Sequence, residues 1–544
     1  MKVSLGFAFV AFVAYQAVRT RYPVEWDGAQ LVMGLDRFDV TRDTPHSPGY
    51  WLYLLAGRTV RAATPLDGTA SLTLVSSLAA AAAVGLTHSL GRTMGGRLLG
   101  VLAASLMLTS PFLWFYGSSV GTYSLDALAC AVLLSLAWHA RPGSAHGVAA
   151  AVALGLAAGF RLTSLLLFAP LAVIAMARSA RSLRVWVQGA AAGAGAIVIW
   201  FVPMLIEQPG GLRAWRSASD ALLGGSVEQT SILSGAAEVV TRNITQGAAY
   251  ALTAFLPAIV AALVIAGRRL SERRRGEAVT ARPALDAGDE TSPDGEPRPW
   301  WTGGPVLAAT GALPALAFLL FIHFGKAGYL LAVLPAGVLL LLLPVRSLQM
   351  RSRRVVAVVV ALVCLVSVQR FLMAPGLVPA TLVDAAPLFI TSSVNGAPYP
   401  FTRQAMAASD RLTREQAGLR DRFDPSTDVL VWGWLNGGER YRHGMLTLPE
   451  FTASFVRDSV HLHTARAYRW ETGHDAELEV PPGGRAVFVL DHVPPDLEAL
   501  LDAGLASPVH LSTGATVWVV EPGVTLLGVE VVEGETSVDA DGAR

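Results

Sequence analysis

The stretch EWDGAQLVMGLDRFDVTRDTPHSPGYWLYLLAGR, residues 25–58, sets five carboxylates and a His-Ser-Pro-Gly-Tyr box side by side. Most of the chain that follows it is apolar. Of 544 residues, 53% are hydrophobic and only 15% charged, and the mean hydropathy is +0.47. Soluble domains carry about 25% charged residues. Long apolar runs with so little charge place the chain in a bilayer. The charged opening stretch is then the exception that needs a function.

Several classes fall away. The net charge is +1, so bulk charge gives no footprint for nucleic acid. Cys130 and Cys364 each lie in an apolar run and form neither a disulfide framework nor a metal-ligand spacing. There is no Gly-Lys-Ser/Thr phosphate loop. The glycines of GAAAGAGA (Gly189–Ala196) sit inside an apolar run, where small residues serve helix packing.

A bilayer core of about 30 Å needs about 20 apolar residues of helix. Runs of that kind predict eleven spans at 3–18, 69–90, 98–114, 120–138, 146–159, 162–177, 185–206, 244–267, 303–322, 328–344 and 354–373. A further apolar helix, 48–63, is expected along the outer leaflet. Arginines gather in alternate loops: Arg92 and Arg97, Arg141, Arg178 to Arg184, Arg268 to Arg275, and Arg346 to Arg354. By the positive-inside rule these loops are cytoplasmic, with the N-terminus, and the other loops and the C-terminal part lie outside. Arg19, Arg21, Arg37 and Arg42 in the first outer loop run against that pattern. Residues 1–18, with Lys2 as a positive end, also fit a cleavable signal. The expected location is the plasma (inner) membrane, multi-pass.

Residues 268–300 are polar, charged and Pro-rich and read as a disordered cytoplasmic linker. From about 375 the composition changes. DVLVWGW (428–434), RAVFVLD (485–491), TVWVVEP (516–522) and LLGVEVVEG (526–534) read as strands, and residues 401–422 as a helix. The expected architecture is a mostly α polytopic bundle, 1–374, holding the outer loop 19–63. A small extracytoplasmic α/β domain with a polar tail, 375–544, follows it.

In the opening stretch, Trp26 suits the membrane–water interface. Leu31, Leu35 and Phe38 recur at helical spacing, which predicts a short interfacial helix from Gly28 with Asp27 as its N-cap. Ser47 and Pro48 predict the cap and first residue of the next helix. A purely structural reading explains both starts but leaves His46, Gly49 and Tyr50 crowded at the second one. Elsewhere on the outer side, Tyr123 and Asp126 stand at the mouth of a span. Asp126 is too costly for lipid and should face protein or water. Arg161, His323 and Lys326 lie in short outer loops. The two cations either snorkel to the interface or, beside the acids, hold a phosphate. The loop 207–243 reads as a lid or a plain connector.

The order of these motifs resembles that of GT-C fold membrane glycosyltransferases. That superfamily includes protein O-mannosyltransferases, bacterial lipid-A aminoarabinose transferases and bacterial mannosyltransferase-like relatives. The segments concerned are EWDG (25–28), PHSPGYWLY (45–53), GTYSLD (121–126), GFRLTSLLLF (159–168) and HFGKAGYLLAVLP (323–335). The resemblance covers roughly residues 1–375. It implies a polyprenyl-phosphate-linked sugar donor, transfer on the outer face to a protein, glycan or lipid acceptor, and Asp27 as catalytic carboxylate. Arg161 and Lys326 would then hold the donor phosphate, with His46, Tyr50, Tyr123, Asp126 and His323 around the substrate. One departure is that Gly121 and Thr122 precede Tyr123 where relatives often have Glu. The acids of the first loop are compatible with a divalent metal, but no ligand spacing is diagnostic of one, and the sequence leaves the cofactor open. The rival expectations are a lipid-linked-sugar flippase and a degenerate relative that only binds glycan.

Overall fold

The computed structural model describes residues 1–231, 237–275, 303–322, 327–373, 401–433, 443–457, 461–464, 469–472, 476–490 and 493–534. The expected linker at 268–300 falls mainly outside these residues, as do His323 and Lys326. The chain forms two compact units. The first is Met1–Arg19, Gly34–Ser392 and Tyr399–Gln404; the second is Thr20–Met33, Ser393–Pro398 and Ala405–Arg544.

The first unit is helical. Its elements are α1 (Lys2–Ala17), α3 (Trp51–Ala63), α4 (Gly68–Leu108), α5 (Pro111–Gly117), α6 (Tyr123–His139), α7 (His146–Phe160), α8 (Ser164–Ser179), α9 (Leu183–Glu207), α10 (Gly211–Thr230), α11 (Ala237–Arg274), α12 (Gly304–Phe321), α13 (Leu334–Leu342) and α14 (Met350–Met373). Helix α2 (Trp26–Met33) belongs to the second unit. Among the described residues, five helices can cross a membrane by length and composition: α4, α9, the part Tyr250–Arg274 of α11, α12 and α14. Five shorter apolar helices accompany them: α1, α6, α7, α8 and the run Leu334–Ser347. The protein is therefore a multi-pass membrane protein.

Local chemistry corrects some expected boundaries. The spans at 69–90 and 98–114 join in α4, which leaves helical geometry at Gly95 and at Gly96 (φ 87°). Only glycine enters that left-handed region without strain. The remaining residues of the second span form the separate helix α5, which opens on Pro111. The connector after α9 is mostly helical, as α10. The glycines of the α9 run do serve packing. A Cβ at Gly155 of α7 would stand 2.6 Å from the carbonyl oxygen of Gly193 on α9, so the two backbones meet where no side chain fits.

Among the described residues the second unit carries ten strands, β1 (Val429–Gly433), β2 (Thr452–Arg457), β3 (His461–Thr464), β4 (Arg469–Thr472), β5 (Ala476–Val480), β6 (Ala486–Val489), β7 (Ala506–His510), β8 (Thr516–Val520), β9 (Val524–Leu526) and β10 (Val529–Glu533). Helices α15 (Arg403–Ala417) and α16 (Pro495–Asp502) accompany them. Seven strands form one sheet in the order β4-β3-β2-β1-β6-β8-β7, and three form another, β5-β10-β9. The centre β2-β1-β6 is parallel, with Val429 opposite both Thr452 and Ala486. Parallel strands are covered on both faces and so read as unbroken apolar runs. On β1, Val429 and Val431 pack with Phe488 and Trp518, while Leu430 and Trp432 pack on the other side with Val487 and Val519.

Candidate functional site

The opening box is held in an unusual backbone. Tyr50 has φ 49° and Asp43 φ 55°, both in the left-handed region, and Gly49 has φ 111°. A Cβ on Gly49 would meet the Phe38 ring at 2.8 Å, so glycine is required there. Strain in a bulky residue such as Tyr50 costs roughly 1–3 kcal/mol and collects at functional sites. The expected cap is corrected accordingly: α3 starts at Trp51 with Tyr50 as N-cap, not at Pro48 behind Ser47. Ser47 instead shares a 2.6 Å hydrogen bond with Ser219 of α10. His46 Nε2 lies 2.9 Å from the Tyr50 hydroxyl.

Arg161 caps the C-terminal end of α7 and turns inward. Only 4% of it is exposed, which excludes snorkelling. Its Nε lies 3.1 Å from Asp126 Oδ2. Ser164 Oγ donates to the other carboxylate oxygen at 3.1 Å. The guanidinium carbon stands 4.5 Å from the centre of the Tyr123 ring and 4.6 Å from that of Tyr329. Burial works against the charged guanidinium, but Asp126 and the tyrosines Tyr329, Tyr123 and Tyr50 outweigh it and hold its pKa above the usual value. The site is thus a fixed, buried cation with one acid partner and aromatic faces around it. A guanidinium carries five N–H donors in a planar fork, a geometry that suits a planar or tetrahedral anion.

The residues that place this cation were not singled out by sequence. Tyr53, three residues after Tyr50 on α3, accepts the Gly121 N–H at 3.1 Å. Ser76 of α4 donates to the Gly121 carbonyl at 2.8 Å, and Tyr53 and Ser76 hydroxyls are 2.8 Å apart. The Gly121 peptide is therefore gripped on both sides, two residues before Tyr123. The Tyr116 hydroxyl accepts the Gly328 N–H at 3.1 Å, next to Tyr329. Paired serines (Ser76 and Ser77) inside an apolar helix are a signal for interhelical hydrogen bonds that the sequence does offer. Pro48, Tyr50, Gly159, Leu162, Trp200 and Trp215 line a narrow cleft beside the box.

Asp27 lies in the second unit, in the first turn of α2, which begins at Trp26; it is half-buried and is not the expected N-cap. Among the described residues, no group of three or more His, Cys, Asp or Glu is placed to hold a metal.

Residues 39–184 match the family model described as the Protein O-mannosyl-transferase TMEM260 N-terminal domain. That range includes His46, Tyr50, Tyr123, Asp126 and Arg161. The fold is similar to crystal structures of ArnT from Cupriavidus metallidurans, one in the apo state and one bound to undecaprenyl phosphate. The TM-scores are 0.51 and 0.52, with 12% identity over 95% of this chain and 97% of that one. No curated protein matches in sequence. The chain thus has the GT-C fold of the ArnT structures, and residues 39–184 resemble an O-mannosyltransferase domain, as the order of motifs predicts.

Proposed function

We propose that the protein is an integral-membrane glycosyltransferase. It takes a sugar from a polyprenyl-phosphate donor and passes it, with inversion, to an acceptor on the outer face of the membrane. The observation that carries this reading is the buried Arg161, paired with Asp126 and faced by Tyr123 and Tyr329, inside the segment that matches the mannosyltransferase model. ArnT, whose fold the chain shares, has been crystallised bound to undecaprenyl phosphate, which supports a lipid phosphate as ligand.

In this reading Arg161 and Lys326 hold the donor phosphate, and Asp126 orients Arg161. His46, Tyr50 and His323 line the sugar. The C1–O bond to the phosphate breaks, and its electron pair leaves with the phosphate. The acceptor oxygen bonds to C1 from the opposite face, and its proton passes to the Asp27 carboxylate. The transition state has oxocarbenium character, so a nearby carboxylate also stabilises developing charge. A positioned base contributes roughly 10²–10⁴-fold, and stabilisation of the departing anion is usually the larger share. The C-terminal part and the first loop lie outside the cytoplasm in this scheme.

The test uses purified protein in proteoliposomes with radiolabelled polyprenyl-phosphate-linked hexoses and isolated cell-envelope acceptors. The reading expects labelled acceptor together with free polyprenyl phosphate. Translocation of the intact lipid-linked sugar without release of polyprenyl phosphate identifies a flippase instead. Binding of glycan alone identifies a degenerate relative.

A further inference from the structure

We propose that the C-terminal domain clamps the chain leading into Asp27, and that Asp410 and His443 are positioning residues for its carboxylate. The proposal rests on the reading of Asp27 as the catalytic carboxylate.

Residues 20–33 follow the first helix in sequence, yet they form one compact unit with the C-terminal domain. The contacts that join them are specific. Asp410 on α15 accepts the backbone N–H of Arg21 at 3.0 Å through Oδ2 and that of Tyr22 at 2.9 Å through Oδ1. The next residue, Pro23, has no N–H to offer. Its carbonyl is taken by His443 Nε2, which donates at 2.7 Å. His443 is only 3% exposed, and Val24 is fully buried. Ser409 adds longer contacts to the carbonyls of Pro23 and Val24, at 3.4 and 3.5 Å.

The stretch 21–25 is irregular and has no helix or strand ladder of its own. An irregular segment has one geometry only while outside groups satisfy its polar atoms. Here a carboxylate grips two successive N–H groups, and bonds with an ionised acceptor are about twice as strong as neutral ones. Helix α2 begins three residues beyond Pro23, and Asp27, the residue after that, stands in its first turn. A displacement of about 1 Å at a reacting group costs about 10²-fold in rate. Asp410 and His443 touch no reacting atom in this scheme. They act through the backbone that carries Asp27, which gives the C-terminal domain a task in the chemistry itself.

The test uses full-length protein in proteoliposomes with a polyprenyl-phosphate-linked hexose as donor. It compares Asp410→Ala, Asp410→Asn, His443→Ala and His443→Gln. Deuterium exchange is followed on peptides covering residues 20–33. The clamp predicts faster exchange there in Asp410→Ala and a kcat per folded molecule lower by about tenfold or more. The KM for the donor changes less than about twofold. His443→Gln keeps an N–H donor and recovers most of what His443→Ala loses. Adding Asp410→Ala to Asp27→Asn slows the enzyme no further, because both act on one carboxylate. Unchanged exchange overturns the clamp. Faster exchange with unaltered kcat, or losses that multiply in the double variant, overturns the positioning role. A wild type that transfers no sugar overturns the enzymatic reading and this role with it, and the exchange data then separate that outcome from an absent clamp.

Discussion

Arg161 and Asp126 form an ion pair in which neither side chain is more than 5% exposed, with Nε 3.1 Å from Oδ2. Removing one partner of a buried pair leaves an uncompensated charge and costs about 3–5 kcal/mol. Asp126→Ala is therefore expected to lower the thermal midpoint sharply in detergent. The double variant Asp126→Ala/Arg161→Met, which removes both charges, should recover part of that loss. Additive losses in the thermal melts would show that the two side chains do not act as a pair.

Arg161→Lys keeps the charge but loses the planar fork and the stacking on Tyr123 and Tyr329. Lysine binds phosphate only as a point charge. Undecaprenyl phosphate should bind this variant about tenfold or more weakly, with folding retained. Equal affinity in a titration followed by tryptophan fluorescence removes Arg161 from the phosphate site.

Tyr53→Phe removes the hydroxyl that accepts the Gly121 N–H while leaving the ring in place. A buried N–H left without its acceptor costs about 1–3 kcal/mol. Transfer should fall with stability, since the Gly121 peptide leads directly into Tyr123. Ser76→Ala should behave alike, and the double variant should lose less than the sum. Thermal melts and turnover of the three proteins check this.

How much was legible follows from these residues. Asp126 was readable because a carboxylate inside an apolar run must find a partner. Arg161 was readable as a candidate, but two readings stayed open because sequence does not show which way a helix-end side chain turns. Tyr53 and Ser76 are 23 residues apart, and Ser76 and Gly121 are 45 apart, so their grip on one peptide is a product of packing alone. The start of α3 was misplaced for a related reason. Ser47 and Pro48 have the chemistry of a helix start, yet the left-handed Tyr50 and the bond from Ser47 to Ser219 override it. In the C-terminal domain the largely buried strands β1, β6 and β8 announced themselves as apolar runs. The partly polar β2–β5 and β7 did not. No property of residues 20–33 alone foretells their union with a domain some 390 residues away.

The C-terminal domain should also be sensitive to acid. Asp424 is held below its ordinary 3.8, first by a hydrogen bond from the Ser426 hydroxyl. Glu450 is held below 4.5, first by its bond from Arg420. Both carboxylates are lowered in the folded state. Their contribution is complete above the unfolded values and is lost as pH falls through the lowered ones. Melting of this domain should therefore shift down below about pH 4. Arg420→Ala should remove the share due to Glu450. A midpoint independent of pH between about 5 and 3 contradicts this.

The most direct measurement of the central claim is sugar transfer by Asp27→Asn, assayed in proteoliposomes with a polyprenyl-phosphate-linked donor and with membrane insertion verified. The account predicts intact donor binding and a turnover lower by roughly 10²-fold or more, the share of a positioned base. Turnover equal to that of the wild type would contradict it, because the outer carboxylate would then have no part in the reaction.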